Sequence, residues 1–309
     1  MNARALAVLA ALCLASAAQA QDAAPSTEHV TVTSDKMPPE KAMHDFIGSY
    51  TAPSPTLSKV TRWHAGVCPG VAGLPPSWNS SIAERLQAVA SAAGAPVAKR
   101  GCRINIDIVF TKNPQALLDG VRDAKPVYLG YHDVAQEKRL ATVSHAVQAW
   151  YMTQTVDSHG GIYTDDKLHP EGISIDSGGT TSHGGNTFQF PNAHVENWNG
   201  SRLGDERRSE LMHALIVVDL DKISGSKLSA LADDVAMLAL AQTAAFDVCQ
   251  PVVSIANLTA PCDAVLKTDA LSNSDQAYLH ALYAIDPNDS LVQQRSKIAY
   301  EMKKSLSAQ

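Results

Sequence analysis

One segment limits the fold more than any other: residues 226–246 form a long helical pattern that is apolar on nearly every side. Leu231, Val235 and Leu238 recur at helical spacing, and most positions between them are also apolar. An ordinary surface helix keeps a polar stripe for solvent, whereas a helix that is apolar all round must be covered on every side. The sequence therefore predicts a central buried helix around which other elements pack.

The rest of the chain alternates between strand and helix patterns. Residues 104–110 alternate and then become apolar, and residues 214–219 are a continuous apolar run; both patterns are typical of strands. We predict further strands over 60–67 and 146–156, helices that begin near Pro38, Ser80 and Asn113, and C-terminal helices over 272–285 and 291–306. This order predicts an α+β fold in which a mixed sheet packs against the long buried helix and helices complete the C-terminus.

The first residues have the order of a secretory signal peptide. Arg4 provides a positive start, residues 6–15 are an apolar run, and Ala18-Gln19-Ala20 is a small-x-small cleavage site before Gln21. We therefore predict that residues 1–20 are a cleaved signal peptide and that the mature protein is periplasmic or secreted. A flexible segment with a short strand would follow over 21–36, and a single domain would occupy 37–309.

Charge and hydropathy argue against a nucleic-acid partner and against a membrane-spanning segment in the mature chain. The net charge is −6 at neutral pH, whereas general nucleic-acid binders have a basic stripe. After the apolar run near the N-terminus, no stretch approaches the roughly 20 apolar residues that a membrane-spanning helix needs. We expect no nucleic-acid partner, no integral membrane segment after cleavage and no cofactor.

Four cysteines remain after the predicted cleavage: Cys68, Cys102, Cys249 and Cys262. An even number of cysteines in an oxidising compartment is typical of disulfides. Because the cysteines form two well-separated groups along the chain, we predict the pairs Cys68–Cys102 and Cys249–Cys262. A cysteine metal site would need closely spaced pairs such as Cys-x-x-Cys, which the sequence lacks.

Residues 158–205 are a long segment without periodicity, rich in Gly, Ser, Thr, Asn and His. A loop of this length is typically functional or disordered, although residues 187–190 have the composition to pair in a hairpin. Imidazoles and carboxylates are suitable ligands for zinc or copper. Because their spacing here is irregular, we predict that the histidines are solvated and that these groups form no metal site. The groups concerned are His159, His169, His183 and His194, with Asp165, Asp166 and Asp176.

The same segment contains Asp176-Ser177-Gly178-Gly179, which is similar to the nucleophile segment of trypsin-like serine proteases. That family folds as two β-barrels, whereas this chain ends in predicted helices. A serine nucleophile also needs a histidine and a carboxylate that orients the histidine. We interpret these residues as a turn.

Asp233 and Asp234 are adjacent carboxylates on the otherwise apolar helix. Burying such groups is costly unless they are paired, so we predict that they lie on the wetter side of the helix, near Lys227 or Lys267. Acid–base catalysis would need a second group with a well-separated pKa, and the sequence identifies none. On the strand over 104–110, we expect Asp107 on the solvent side.

The C-terminal third resembles a matrixin-type zincin metallopeptidase. The resemblance rests on the strand over 214–219, a turn at Gly225, the long helix and residues 271–283. In such peptidases an edge strand precedes the active-site helix, and a later segment has the form Leu-Ser/Thr-x-x-Asp-x-x-x-Leu-x-x-Leu-Tyr. The whole chain is also similar to an uncharacterised family of secreted proteins from Gram-negative bacteria.

The metal motif of the zincins is missing. Their helix carries His-Glu-x-x-His, because histidines four residues apart share a face and the glutamate activates the zinc-bound water. Those places hold Asp233, Asp234 and Met237 here, and Thr243 stands at the third-ligand place. The resemblance therefore implies an inactive relative, a non-catalytic zincin-like binding or structural domain. The alternative is a secreted, peptidase-like hydrolase with a site that the sequence does not reveal.

Overall fold

A mixed five-stranded sheet forms the centre of the computed structural model. The structure describes residues 37–130, 139–157, 159–165, 173–176, 187–190 and 206–308. All of them belong to one compact unit that spans 35–309. The predicted signal peptide and the segment over 21–36 lie outside the described residues, so both remain predictions.

Helices surround this sheet and complete the C-terminus. The helices are α1 (Glu40–Tyr50), α2 (Pro76–Ala93), α3 (Pro114–Ala124), α4 (Leu228–Leu240), α5 (Asn273–Ala284) and α6 (Leu291–Ser307). The strands are β1 (Pro69–Ala72), β2 (Ile106–Thr111), β3 (Val147–Val156), β4 (Ile162–Thr164), β5 (Ile173–Asp176), β6 (Thr187–Phe190) and β7 (Arg208–Asp219). The predicted α+β fold, with a mixed sheet and C-terminal helices, is confirmed.

The strand order in the large sheet is β1-β2-β7-β3-β4. The first three strands are parallel, whereas β3 runs antiparallel to β7 and to β4. The strand that leads into α4 therefore lies between two neighbours, and the edge strand that the zincin resemblance implies at this place is not observed. Residues 187–190 pair with Ile173–Asp176 in a separate antiparallel pair of strands, as their composition predicts.

Both faces of β7 are buried. Ala214, Ile216 and Val218 belong to the main core, which contains residues of α1, α2, α4, α5 and α6. Leu215 and Val217 belong to a smaller cluster on the other face, together with Leu118 of α3, Leu129 and Trp150. A strand covered on both faces has a continuous apolar sequence instead of an alternating one, and residues 214–218 follow this pattern.

Residues 230–240 of helix α4 are all buried, which confirms the prediction of a central core helix. It is shorter than the predicted range of 226–246, because Ala241 is already extended. The last carbonyl groups of a helix have no partner within the helix, and three aromatic side chains supply them with donors here. Tyr151, Trp63 and Tyr283 donate to the carbonyl oxygens of Leu238, Ala239 and Leu240 over 2.9, 2.7 and 2.9 Å.

Residues 60–67 do not form the strand predicted for them. They contact three separate parts of the chain through isolated bridges. The buried guanidinium group of Arg62 donates hydrogen bonds of 2.9 and 2.8 Å to the carbonyl oxygens of Leu282 and Ile285, at the end of α5. These tertiary contacts replace a regular strand ladder. Helix α2 also begins earlier than predicted, at Pro76, because proline is pre-organised for the first helical position.

Both disulfides have the predicted pairing. Cys68 bonds to Cys102 across a Cα–Cα distance of 6.1 Å, and Cys249 bonds to Cys262 across 5.2 Å. The first links the start of β1 to the segment before β2, and the second closes the loop that follows α4. Within the described ranges, no helix combines the length and the hydropathy needed to cross a membrane.

Candidate functional site

Asp233 of α4 forms an ion pair with Arg85 of α2, in which the carboxylate is buried and the guanidinium side chain is partly exposed. The Nε and Nη2 atoms of Arg85 lie 2.5 and 3.1 Å from the two carboxylate oxygens of Asp233. The backbone N–H of Leu271 donates a third hydrogen bond to the same carboxylate, over 2.9 Å. The Asp233 carboxylate therefore accepts three hydrogen bonds, and these bonds join α4 to α2 and to the segment before α5.

The prediction that Asp233 and Asp234 lie on a wet side near lysines is wrong. Their exposed fractions are 3% and 6%. Lys227 instead pairs with Asp269 over 2.7 Å at an exposed position. The physical reason is that other elements cover α4 over residues 230–240. Among the described residues, Asp233 therefore takes its counter-ion from a neighbouring helix.

Asp234 has a different environment, because no described residue donates a hydrogen bond to its carboxyl group. Burial raises the pKa of this group to about 8, and the nearby carboxylates of Asp247 and Asp275 contribute to the shift. The side chain lines a small cavity with Tyr50, Asp247 and Thr259. The volume open to a water-sized occupant is about 10 Å³, which is close to the minimum for one water molecule.

Asp247 stands at the outer side of this cavity. Its backbone φ of 53° lies in the left-handed region, where non-glycine residues are uncommon. One carboxylate oxygen lies 2.9 Å from Nδ1 of His145, and the hydroxyl group of Thr259 donates to the other. The side chains of Asp247 and His145 are 26% and 31% exposed. The cavity therefore extends from buried Asp234 to groups that reach solvent.

The residues at the zincin metal positions do not fit a zinc site. Asp233 is occupied by Arg85, and Met237 is fully buried. Thr243 is also buried, and its hydroxyl oxygen accepts a hydrogen bond from the backbone N–H of Ala245. In the part of the chain that the structure describes, no group of three or more His, Cys, Asp or Glu side chains has the geometry to hold a metal.

Residues 271–283, which carry part of the zincin resemblance, have a structural role. Ser272 and Asp275 form a capping box at the start of α5. The buried carboxylate of Asp275 also accepts hydrogen bonds from the Ser254 hydroxyl and the Ile255 backbone, over 2.5 and 2.8 Å. Burial outweighs these favourable hydrogen bonds and raises the pKa of Asp275 to about 6. The motif therefore fixes α5 against the loop that precedes it.

An open groove lies between α2 and α5. Its volume is about 300 Å³, within the usual size range of small-molecule sites. Six of its eight lining residues are apolar, and the two polar side chains, Arg85 and Gln276, contribute to the rest of the lining. The apolar lining residues are Ala88, Val89, Ala92, Ala93, Leu271 and Leu279.

A second polar cluster lies on the face of the large sheet that is opposite α4. Nε2 of His213 on β7 is 2.8 Å from a carboxylate oxygen of Asp107 on β2. The Tyr128 ring stacks on the imidazole with ring centroids 4.3 Å apart. His213 is buried, and its Nδ1 has no hydrogen-bond partner among the described residues. Asp107 lies on the less buried side of its strand, where the alternation predicts it.

The polar groups of the long loop do not assemble into a site within the described residues. His159 is exposed, and its backbone N–H bonds to Asp157. Asp165 is buried and accepts hydrogen bonds from Thr153 and Thr155 over 2.5 and 2.8 Å. Asp176 lies in β5. The remaining candidates, which are Asp166, His169, Ser177, His183 and His194, lie outside the described residues.

Four members of these clusters are not predicted from the sequence: Arg85, His145, His213 and Asp247. Each contacts a partner that is far away in the sequence, such as the 148 positions between Arg85 and Asp233. None of them stands in a recognisable motif, so the sequence carries no signal for them. No family model, curated protein or solved structure matches this chain.

Proposed function

We propose that this chain is an exported, non-catalytic binding domain of zincin-like type. The single observation that supports the absence of catalysis is that the residues of α4 at the zincin metal positions are already paired or buried. At the places where a zincin carries its ligands and its base, Asp233 is paired with Arg85 and Met237 is buried in the core. Asp234 lines a cavity that has room for about one water molecule, which is too small for a substrate.

Export is supported by two independent features. The first residues have the composition of a signal peptide. Both disulfides link cysteines of the predicted mature protein, and disulfides persist in oxidising compartments. A measurement of the intact mass of the exported form tests this part: the expected N-terminus is Gln21, and a species that retains Met1 would contradict it.

The groove between α2 and α5 is the best candidate for binding. Its apolar lining fits a short hydrocarbon group, and Arg85 at the same groove fits a carboxylate. The ion pair with Asp233 uses Nε and Nη2 of Arg85, which leaves Nη1 for a ligand. We therefore propose a small amphipathic acid, or a peptide segment with the same chemistry, as the ligand class.

Titration calorimetry with octanoate, and with octylamine as the cationic counterpart, tests this assignment. We expect octanoate to bind and Ala92→Phe to weaken its binding at least about tenfold, because the new ring fills the groove. Ser91→Phe is the matched control, since Ser91 is also exposed on α2 but does not line the groove. Equal binding by both variants would contradict the assignment.

One observation favours the alternative, a secreted hydrolase. The Asp107–His213 pair has the arrangement of a base and the carboxylate that orients it. A peptidase and esterase screen of the parent, followed by His213→Gln, tests this function. We expect no turnover above that of a blank. Turnover that His213→Gln abolishes would replace the non-catalytic proposal.

A further inference from the structure

We infer that the cavity between α4 and the loop that contains Asp247 and Thr259 is a site for one calcium ion. The carboxylate oxygens of Asp234 and Asp247 would bind the ion, with Tyr50 and Thr259 supplying hydroxyl oxygens. This site is separate from the groove between α2 and α5, and the inference does not depend on the proposed binding function.

The first argument is the condition of the Asp234 carboxyl group. A buried carboxylate without hydrogen bonds is costly, so it must take up a proton, a water molecule or a cation. The described residues offer it no donor, and its neighbours on the cavity wall include a second carboxylate. Two carboxylates around one small cavity favour a positively charged occupant.

The second argument is independent of the acidic residues. Tyr50 is 1% exposed, it lines the same cavity, and its hydroxyl group has no partner among the described residues. Buried hydroxyl groups nearly always have a partner. An occupant of the cavity would supply the missing contact of Tyr50 and the missing contact of Asp234 at once.

The donor chemistry selects calcium. All four side-chain donors are oxygen atoms, and oxygen ligands suit hard cations such as Ca²⁺, whereas zinc and copper prefer histidine and cysteine. The available volume of about 10 Å³ fits a single small occupant. Asp247 and His145 are partly exposed, so water molecules can reach the outer side of the site and complete the coordination.

Calcium-dependent stability of the full chain tests the inference. Chelator-treated protein is melted with CaCl₂ or with NaCl at equal ionic strength. With two carboxylates we expect a dissociation constant of about 0.1–1 mM, as in extracellular calcium modules. Calcium at 10 mM should then raise Tm by roughly 3–6 °C, because the ion binds only the folded state. Calorimetric titration with CaCl₂ should give one site.

Variants identify the location of the ion. Asp234→Asn and Asp247→Asn should each abolish the calcium-dependent rise in Tm, whereas Asp269→Asn, at an exposed position, should retain it. If Asp247→Asn does not fold, Asp234→Asn decides alone, because it replaces a buried carboxyl group to which no described residue donates a hydrogen bond. A parent that calcium does not stabilise would overturn the inference. So would an Asp234→Asn protein with the parent's calcium response.

Discussion

Replacing Arg85 with methionine should destabilise the protein through Asp233. Methionine keeps much of the aliphatic length of the side chain, but it removes the guanidinium group. Asp233, whose side chain is 4% exposed, then loses two of its three hydrogen-bond donors and its counter-charge, and keeps the N–H of Leu271. The carboxylate remains buried with little compensation.

The magnitude follows from the burial of the two partners. Breaking a fully buried ion pair by removing one partner costs about 3–5 kcal/mol. The side chain of Arg85 is 46% exposed, so water can reach part of the vacated space and solvate Asp233. Solvent screening of this kind reduces the expected loss to about 1–3 kcal/mol. A typical domain has a total stability of about 5–15 kcal/mol, so the effect is measurable.

Urea unfolding of four proteins at pH 7 measures the effect: the parent, Arg85→Met, Asp233→Asn and the double variant. We expect the double variant to be more stable than the sum of the single effects predicts, with a coupling energy of about 1–2 kcal/mol. Zinc content should be the same in all four. Additive single effects, or Arg85→Met within about 0.5 kcal/mol of the parent, would refute the structural role of the pair.

Three further predictions concern stability. Because folding raises the pKa of Asp275 to about 6, the folded state holds its proton more tightly than the unfolded state. Parent stability relative to Asp275→Asn should therefore fall by up to about 3 kcal/mol from pH 4 to pH 7, measured by urea unfolding at each pH. Leu231→Ala should cost about 2–5 kcal/mol, whereas Val292→Ala, at a position that is 75% exposed, should change Tm little. Replacing both Cys249 and Cys262 with alanine should cost about 2–4 kcal/mol in thermal or urea unfolding, because the disulfide closes a loop of 13 positions.

Local patterns in the sequence were sufficient for much of the fold. Apolar runs and alternation predicted β2 and β7, and helical spacing predicted α5 and α6 within one or two residues of their observed ends. The cysteine separations also predicted both disulfides. These features depend on the residues of one segment, or on a short loop between two cysteines, so the sequence contains the information for them.

Tertiary structure decided where α4 ends. Its apolar pattern continues past Leu240, but side chains from three distant segments bond its last carbonyl groups, and the chain becomes extended at Ala241. The strand predicted over 60–67 failed for the same reason, because its residues contact separate parts of the fold. Hydrogen bonds with such distant partners have no local signature in a sequence.

The candidate sites depended on tertiary structure even more strongly. The sequence singled out Asp233 and Asp234 because two acids on an apolar helix are unusual, but it did not reveal that their environments differ. Folding places Asp233 against Arg85, and it places Asp234 beside Asp247 in a small cavity where no described residue donates a hydrogen bond to Asp234. Because burial and neighbouring charges determine the pKa and the pairing of a carboxyl group, adjacent residues of one type acquired different chemical properties in the folded chain.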